Sequence, residues 1–238
     1  MSAPVWSRYA TARNFEASAI TPDQRRVTRE DVLTFANCCV LLRSFWVHYQ
    51  TLFEGSDLRR ELLKTTAKTF FGDLNHMLIK HLILEVCKLT DPEGTGEKRN
   101  LTVEFLANNT DFAASAKQYS KLTKLVARMH VFRGSILPAR NKLISHLDLQ
   151  AAQGQRSLGG APTAAWRGFW DDLRGFILIM YERHFGEPFD LYDVGELSDA
   201  DQLVKALKES TYFRDLLDDK TLTLKVDDVA RHSRYYEA

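Results

Sequence analysis

Arg140, Asn141 and His146 lie together in the stretch Pro138-Ala139-Arg140-Asn141-Lys142-Leu143-Ile144-Ser145-His146-Leu147-Asp148. A guanidinium, an amide and an imidazole so spaced suit one reaction in particular. RNA can be cut by its own 2′-hydroxyl attacking the adjacent phosphate. That attack needs a general base for the hydroxyl proton and a cation for the charge that builds on the phosphorus oxygens. His146 suits the base, because an imidazole titrates near pH ~6.5. Arg140 suits the phosphate, which its planar fork grips through two parallel hydrogen bonds. Asn141 is placed to orient either group. The set calls for no metal and no cofactor.

The motif closes an unusual run. Residues 112–147 contain no Asp or Glu and carry seven cations: Lys117, Lys121, Lys124, Arg128, Arg133, Arg140 and Lys142. A local excess of +7 in a chain of net charge +1 leaves −6 for everything else. Such an asymmetry points to an anionic partner. Lys117, Lys121, Lys124 and Arg128 fall at steps of four, three and four. At about 100° per residue they span only about 60° of a helix surface, beside an apolar face of Leu122, Leu125, Val126 and Met129. Clustered cations on one face are the footprint of a nucleic-acid binder. Lys117, Lys121, Lys124, Arg128 and Lys142 are therefore the candidate RNA-binding residues. The bland reading of the same row is a solvated helix face that lacks acids.

Spacing alone is a weak signal. Arg43 and His48 form a second Arg-to-His pair, but they sit in the most apolar helical stretch, Leu42-Arg43-Ser44-Phe45-Trp46-Val47-His48, where packing is the better account. Arg140 and His146 also face a geometric difficulty. On an ideal helix they point about 120° apart and are separated by about 9 Å along the axis. They converge when Arg140 sits in a first turn and reaches back over the cap, or when two protomers face each other.

The elements that must position these groups are helical throughout. Thr28-Arg29-Glu30-Asp31 resembles a capping box and predicts a helix to about Phe53, with Val32, Phe35, Cys39, Leu42, Phe45, Trp46, Tyr49 and Phe53 inward. Gly55 stops it and Ser56-Asp57 opens a long second helix over 57–89. Its apolar stripe runs through Leu63, Ala67, Phe70, Leu74, Met77, Leu78, Leu82, Val86 and Leu89. Thr90-Asp91-Pro92 ends that helix, with Asp91 a turn residue first and a site residue only as the lesser reading, and Glu93 to Arg99 reads as a charged loop. A short helix over 101–107 and a longer one over 113–135 follow. Pro138 suits the first turn of a new helix over 138–150. Residues 151–162 read as a flexible segment, 163–185 as a strongly amphipathic helix, and Ser198-Asp199-Ala200-Asp201 as the cap of a last helix ending near Leu217. The alternation in Thr221–Val226 suits a short strand. The pattern predicts one all-α domain over 29–217, a helical bundle built on two long antiparallel helices, with an extension over 1–28 and a small peripheral C-terminal tail over 218–238.

Bulk features narrow the setting. At 45% hydrophobic and 11% aromatic the chain can bury a sizeable core. Cys38, Cys39 and Cys87 show neither disulfide nor metal-ligand spacing and read as buried thiols in a reducing compartment. The first 28 residues have no apolar run and no segment approaches membrane-spanning length, so a cytoplasmic protein without a membrane anchor is expected. His76, His81 and Glu85 share a helix, but His76 is at the wrong step for a common metal face. The Trp and Phe residues of 166–176 suit a core.

Taken in order, Leu89-Thr90-Asp91-Pro92, Asn100-Leu101-Thr102 and the Arg140-to-Asp148 stretch resemble the HEPN superfamily (higher eukaryotes and prokaryotes nucleotide-binding), and within it the AbiU-type abortive-infection proteins. The likeness covers about residues 30–185. It implies a helical bundle, a homodimer, and a metal-independent ribonuclease of the kind used in phage defence or toxin–antitoxin systems, with an antitoxin or a defence-system protein as further partner. By that resemblance Arg140 and His146 carry the chemistry and Asn141 assists. Some superfamily members place a modifiable Tyr just after the His; here Leu147-Asp148 stands there, so that form of regulation is not supported. Fold membership alone does not give activity. The alternatives are a non-catalytic helical module binding RNA or protein through the basic face, and a structural dimer whose apolar helices serve assembly.

Overall fold

The computed structural model describes residues 26–95, 98–113, 115–141, 161–193 and 199–218. Among these, six helices carry the fold: α1 (Arg29–Phe53), α2 (Asp57–Thr90), α3 (Val103–Asn109), α4 (Ala116–Ala139), α5 (Thr163–Phe185) and α6 (Ala200–Asp218). The capping box forms as its residues dictate. Thr28 Oγ1 accepts from Asp31 N at 3.1 Å and Asp31 Oδ2 accepts from Thr28 N at 2.8 Å. Ser56 Oγ caps α2 by accepting from Arg59 N at 3.3 Å. The tight connection between α1 and α2 folds them into an antiparallel hairpin, and Phe45 meets the His81 ring edge-on at 4.5 Å between centroids.

α4 and α5 form the second antiparallel pair. Phe132 stacks on Phe169 at 4.9 Å and meets Trp166 edge-on at the same separation. Trp46 of α1 stacks on Trp166 at 5.2 Å and leans on Trp170 at 6.0 Å, which joins the two pairs. Phe169, Trp170, Leu173 and Phe176 are all buried, so the aromatics of α5 are core. Each such side chain contributes about 1.5–3 kcal/mol by leaving water. A smaller core of Leu52, Leu63, Phe71, Ala200 and Val204 lies where α6 covers the start of α2.

Several local expectations are corrected. Ala67 has φ −157° and ψ 75°, which breaks α2 into two segments. On an unbroken helix Phe70 would lie about 20° from Leu63, and Phe71 about 80° away. The break turns the second segment, so Phe71 is buried while Phe70 and Met77 stand 59% and 58% exposed. Glu93 to Arg99 is not a plain loop: Gly94–Thr95 (β1) pairs antiparallel with Lys98–Arg99 (β2). Gly94 adopts φ 80°, a conformation that favours glycine. Cys38 is exposed, whereas Cys39 and Cys87 are buried.

The largest correction concerns Pro138. No new helix begins there. α4 runs through it to Ala139, and the chain leaves through a π-type turn at Arg140 and Asn141. The buried contacts of Ile136 and Ala139 on either side hold the helix across the proline. The remainder of the 138–150 helix, the 151–160 part of the flexible segment and the 221–226 strand lie outside the described residues.

Candidate active site

The geometry around Arg140 starts from the end of α2. Asp91 is its C-cap residue, with φ −63° and ψ 157°, the extended conformation that a following proline imposes. The segment beyond it is braced on α3. Asn100 Nδ2 donates to Pro92 O at 3.1 Å, Glu93 N donates to Glu104 Oε2 at 3.0 Å, and Glu93 Oε2 accepts from Asn108 and Asn109 at 3.2 and 3.3 Å. Thr90 is buried with its hydroxyl on Val86 O at 2.7 Å, and buried Thr102 caps α3. The ordered set Thr90-Asp91-Pro92, Asn100 and Thr102 thus has a physical task. It fixes the place where Asp91 presents its carboxylate.

That carboxylate faces the last turns of α4. Arg133 Nη2 donates to Asp91 Oδ1 at 2.5 Å. Arg140 Nη2 lies 4.0 Å from Asp91 Oδ2, beyond a hydrogen bond but within electrostatic reach. Arg140 Nη1 donates to Asn141 Oδ1 at 3.0 Å. The Nε atoms of Arg133 and Arg140 are buried without an acceptor. Cys87 lies one turn before Asp91; burial pushes its thiol pKa up, and the two guanidiniums only partly offset that. Among the described residues one carboxylate and two guanidiniums leave this cluster with one positive charge, which suits an anionic ligand. In the sequence Asp91 reads first as a turn residue, and its place in the ordered motif set is the signal that points further.

The row of cations divides. Lys117, Lys121 and Lys124 are exposed and form no ion pair among the described residues. Arg128 is engaged: its guanidinium donates through Nε to both oxygens of Asp172 on α5, at 3.0 and 2.9 Å. Because α4 is continuous, the three lysines sit about 24–35 Å from Arg140 along the axis, at about 1.5 Å per residue. Lys142 and His146 lie outside the described residues. Arg43 and His48 do not form a site. Arg43 stacks on Tyr192 at 4.5 Å and Trp170 at 5.4 Å, and His48 lies against Phe45. Glu85 is taken by Lys88 at 2.6 Å, and among the described residues no group of three His, Cys, Asp or Glu is arranged to hold a metal ion. None of the described helices is long and apolar enough to cross a membrane.

A family model for AbiU2, a HEPN domain, matches residues 32–203, the greater part of the chain. The chain belongs to the AbiU2-type HEPN family. The matched span runs from the first turn of α1 into the first turn of α6 and so contains Asp91, Arg133, Arg140 and Asn141. The all-α bundle is the architecture expected of such a HEPN protein. Membership of the AbiU2-type family points to abortive-infection phage defence. No curated protein and no solved structure matches the chain.

Proposed function

We propose that this AbiU2-type HEPN protein is a metal-independent endoribonuclease. The ribose 2′-hydroxyl attacks the adjacent phosphorus as His146 takes its proton. The new bond from the 2′-oxygen to phosphorus forms as the bond to the 5′-oxygen breaks, and the leaving oxygen is protonated from solvent. The products are a 2′,3′-cyclic phosphate and a 5′-hydroxyl. Arg140 holds the phosphate oxygens, Asn141 orients Arg140, and Lys117, Lys121, Lys124 and Lys142 receive the RNA backbone, while Arg128, first read as one of this set, is held by Asp172. The active form is a homodimer, in which a second copy of the motif faces the first, and an antitoxin or defence-system protein restrains it. The observation that carries the reading is Arg140 itself. It is a half-buried guanidinium that donates to a neighbouring amide and, among the described residues, is not hydrogen-bonded to the carboxylate that lies near it.

The test is an RNA cleavage gel on purified protein with end-group analysis. Wild type cuts in the presence of EDTA and leaves cyclic phosphate ends. His146→Ala and Arg140→Ala each lose about a hundredfold or more, the usual scale for a general base or a charge-stabilising group. Undiminished cutting by His146→Ala removes the proposed base.

The distance between the lysine row and Arg140 favours a second reading: a helical module that binds RNA or protein along α4 without cutting. It predicts salt-sensitive RNA binding and no cyclic phosphate ends.

A further inference from the structure

Asp91 is one carboxylate between two guanidiniums, and it is shared unequally. Its Oδ1 takes a charge-assisted hydrogen bond from Arg133 at 2.5 Å, while its Oδ2 is 4.0 Å from Arg140. Among the described residues Arg140 otherwise hydrogen-bonds only the neutral oxygen of Asn141. A bidentate guanidinium–carboxylate pair is among the strongest polar contacts available to a protein. The backbone of Asp91 is fixed by Pro92, Asn100 and Glu93, so its side chain has only a short swing between its two neighbours.

We propose that Arg133 is a positioning residue that occupies Asp91 and so keeps the Arg140 guanidinium open for a phosphate. The proposal rests on the nuclease reading for its purpose, since a free Arg140 matters because it would meet phosphate. Its structural content stands apart from that reading. Without Arg133 the Asp91 carboxylate moves about 1 Å, forms the paired hydrogen bonds with Arg140, and neutralises it. Arg133 then matters for what it withholds from Arg140 and not for any contact of its own with RNA. This gives an unusual pattern among variants. Arg133→Ala is impaired, and removing the Asp91 charge as well repairs it. Were Arg133 itself a phosphate ligand, or a mere tie between α2 and α4, the second substitution would give no repair.

The test reads Arg140 directly, with no RNA present. Phenylglyoxal modifies accessible guanidiniums and is slowed at paired ones; peptide mass spectrometry reports the rate at Arg140. Arg140→Lys serves as the blank. Arg133→Ala slows modification of Arg140 by about tenfold, the scale of one charge-assisted hydrogen bond. Asp91→Asn in the same chain restores the wild-type rate. Arg133→Lys, which keeps a cation beside Asp91, stays near wild type and controls for lost folding. Affinity for a 2′-O-methyl RNA and cleavage of the unmodified RNA follow the same order. An Arg140 that reacts equally fast in wild type and Arg133→Ala overturns the proposal, as does an Arg133→Ala defect that Asp91→Asn leaves in place. If wild type cuts no RNA but the reactivity pattern holds, the nuclease reading fails and the positioning role of Arg133 stands.

Discussion

Arg128 of α4 and Asp172 of α5 close a bidentate ion pair across the interface of the two helices, with Nη2 adding a third contact at 2.5 Å to Oδ1. The pair neutralises one of the four cations that periodicity placed on a single face. Asp172→Asn should free that cation. Arg128 is 58% exposed and remains hydrated on its own, so the stability cost should stay within about 1 kcal/mol. RNA affinity should rise, and the slope of log affinity against log salt should steepen by about 0.7, the value for one added phosphate contact to a single strand. Fluorescence anisotropy with a 2′-O-methyl RNA at several salt concentrations measures both. An unchanged affinity would show that the row on α4 does not face the RNA.

A pH dependence of stability follows from His184. Its ring is half-buried and its Nε2 lies 3.2 Å from Thr110 Oγ1. Burial holds its pKa below the usual value, and the cations of Arg183 and Arg29 push the same way. The unfolded imidazole titrates near pH ~6.5. Below that pH the unfolded chain binds a proton that the folded chain resists, so unfolding gains. The stability is whole above about pH 6.5 and is lost as pH falls toward the folded pKa. His48, whose pKa is also lowered by burial, adds to the same trend. The thermal midpoint should therefore drop between about pH 7 and pH 5. His184→Gln, which keeps a partner for Thr110 and cannot titrate, should show a shallower drop. Parallel curves for the two proteins would remove His184 as a cause.

How much of this was legible in the sequence depended on the range of the interaction. α5 emerges over Thr163–Phe185 as its apolar spacing predicts, and the capping box at Thr28 sets the start of α1. Those signals are local. The break at Ala67 was not legible, because alanine is the strongest helix former and nothing in its neighbours marks a kink. Pro138 misled for the opposite reason. The local rule ends a helix there, and the burial of Ile136 and Ala139 overrides it. Arg140 and Asn141 stand out in the sequence because their types form a motif. The pairings around them do not, since Asp91 meets Arg133 across 42 residues and Asp172 meets Arg128 across 44. Counting the charges of a run cannot show which of them are already paired.

Pro138 offers a test of whether the exit from α4 is built for its site. A proline nitrogen carries no hydrogen, so the Gly134 carbonyl receives nothing from position 138, and the ring crowds that same carbonyl. Two residues later the Arg140 N–H reaches both Ile136 O and Leu137 O, and the helix widens into the π-type turn at Arg140 and Asn141. Such widenings change which way the following side chains point and often occur at functional sites. Alanine at position 138 restores the missing donor and removes the crowding. The helix should gain on the order of 1–3 kcal/mol, seen as a higher thermal midpoint. The regular turn should also rotate Arg140 away from Asn141 and from the space beside Asp91. Cleavage should fall by about tenfold or more, since a misplacement of about 1 Å can cost that much. Stability and activity moving in opposite directions is the expected result for Pro138→Ala. A variant that gains stability and cuts RNA as fast as wild type would show that the aim of Arg140 does not depend on the proline.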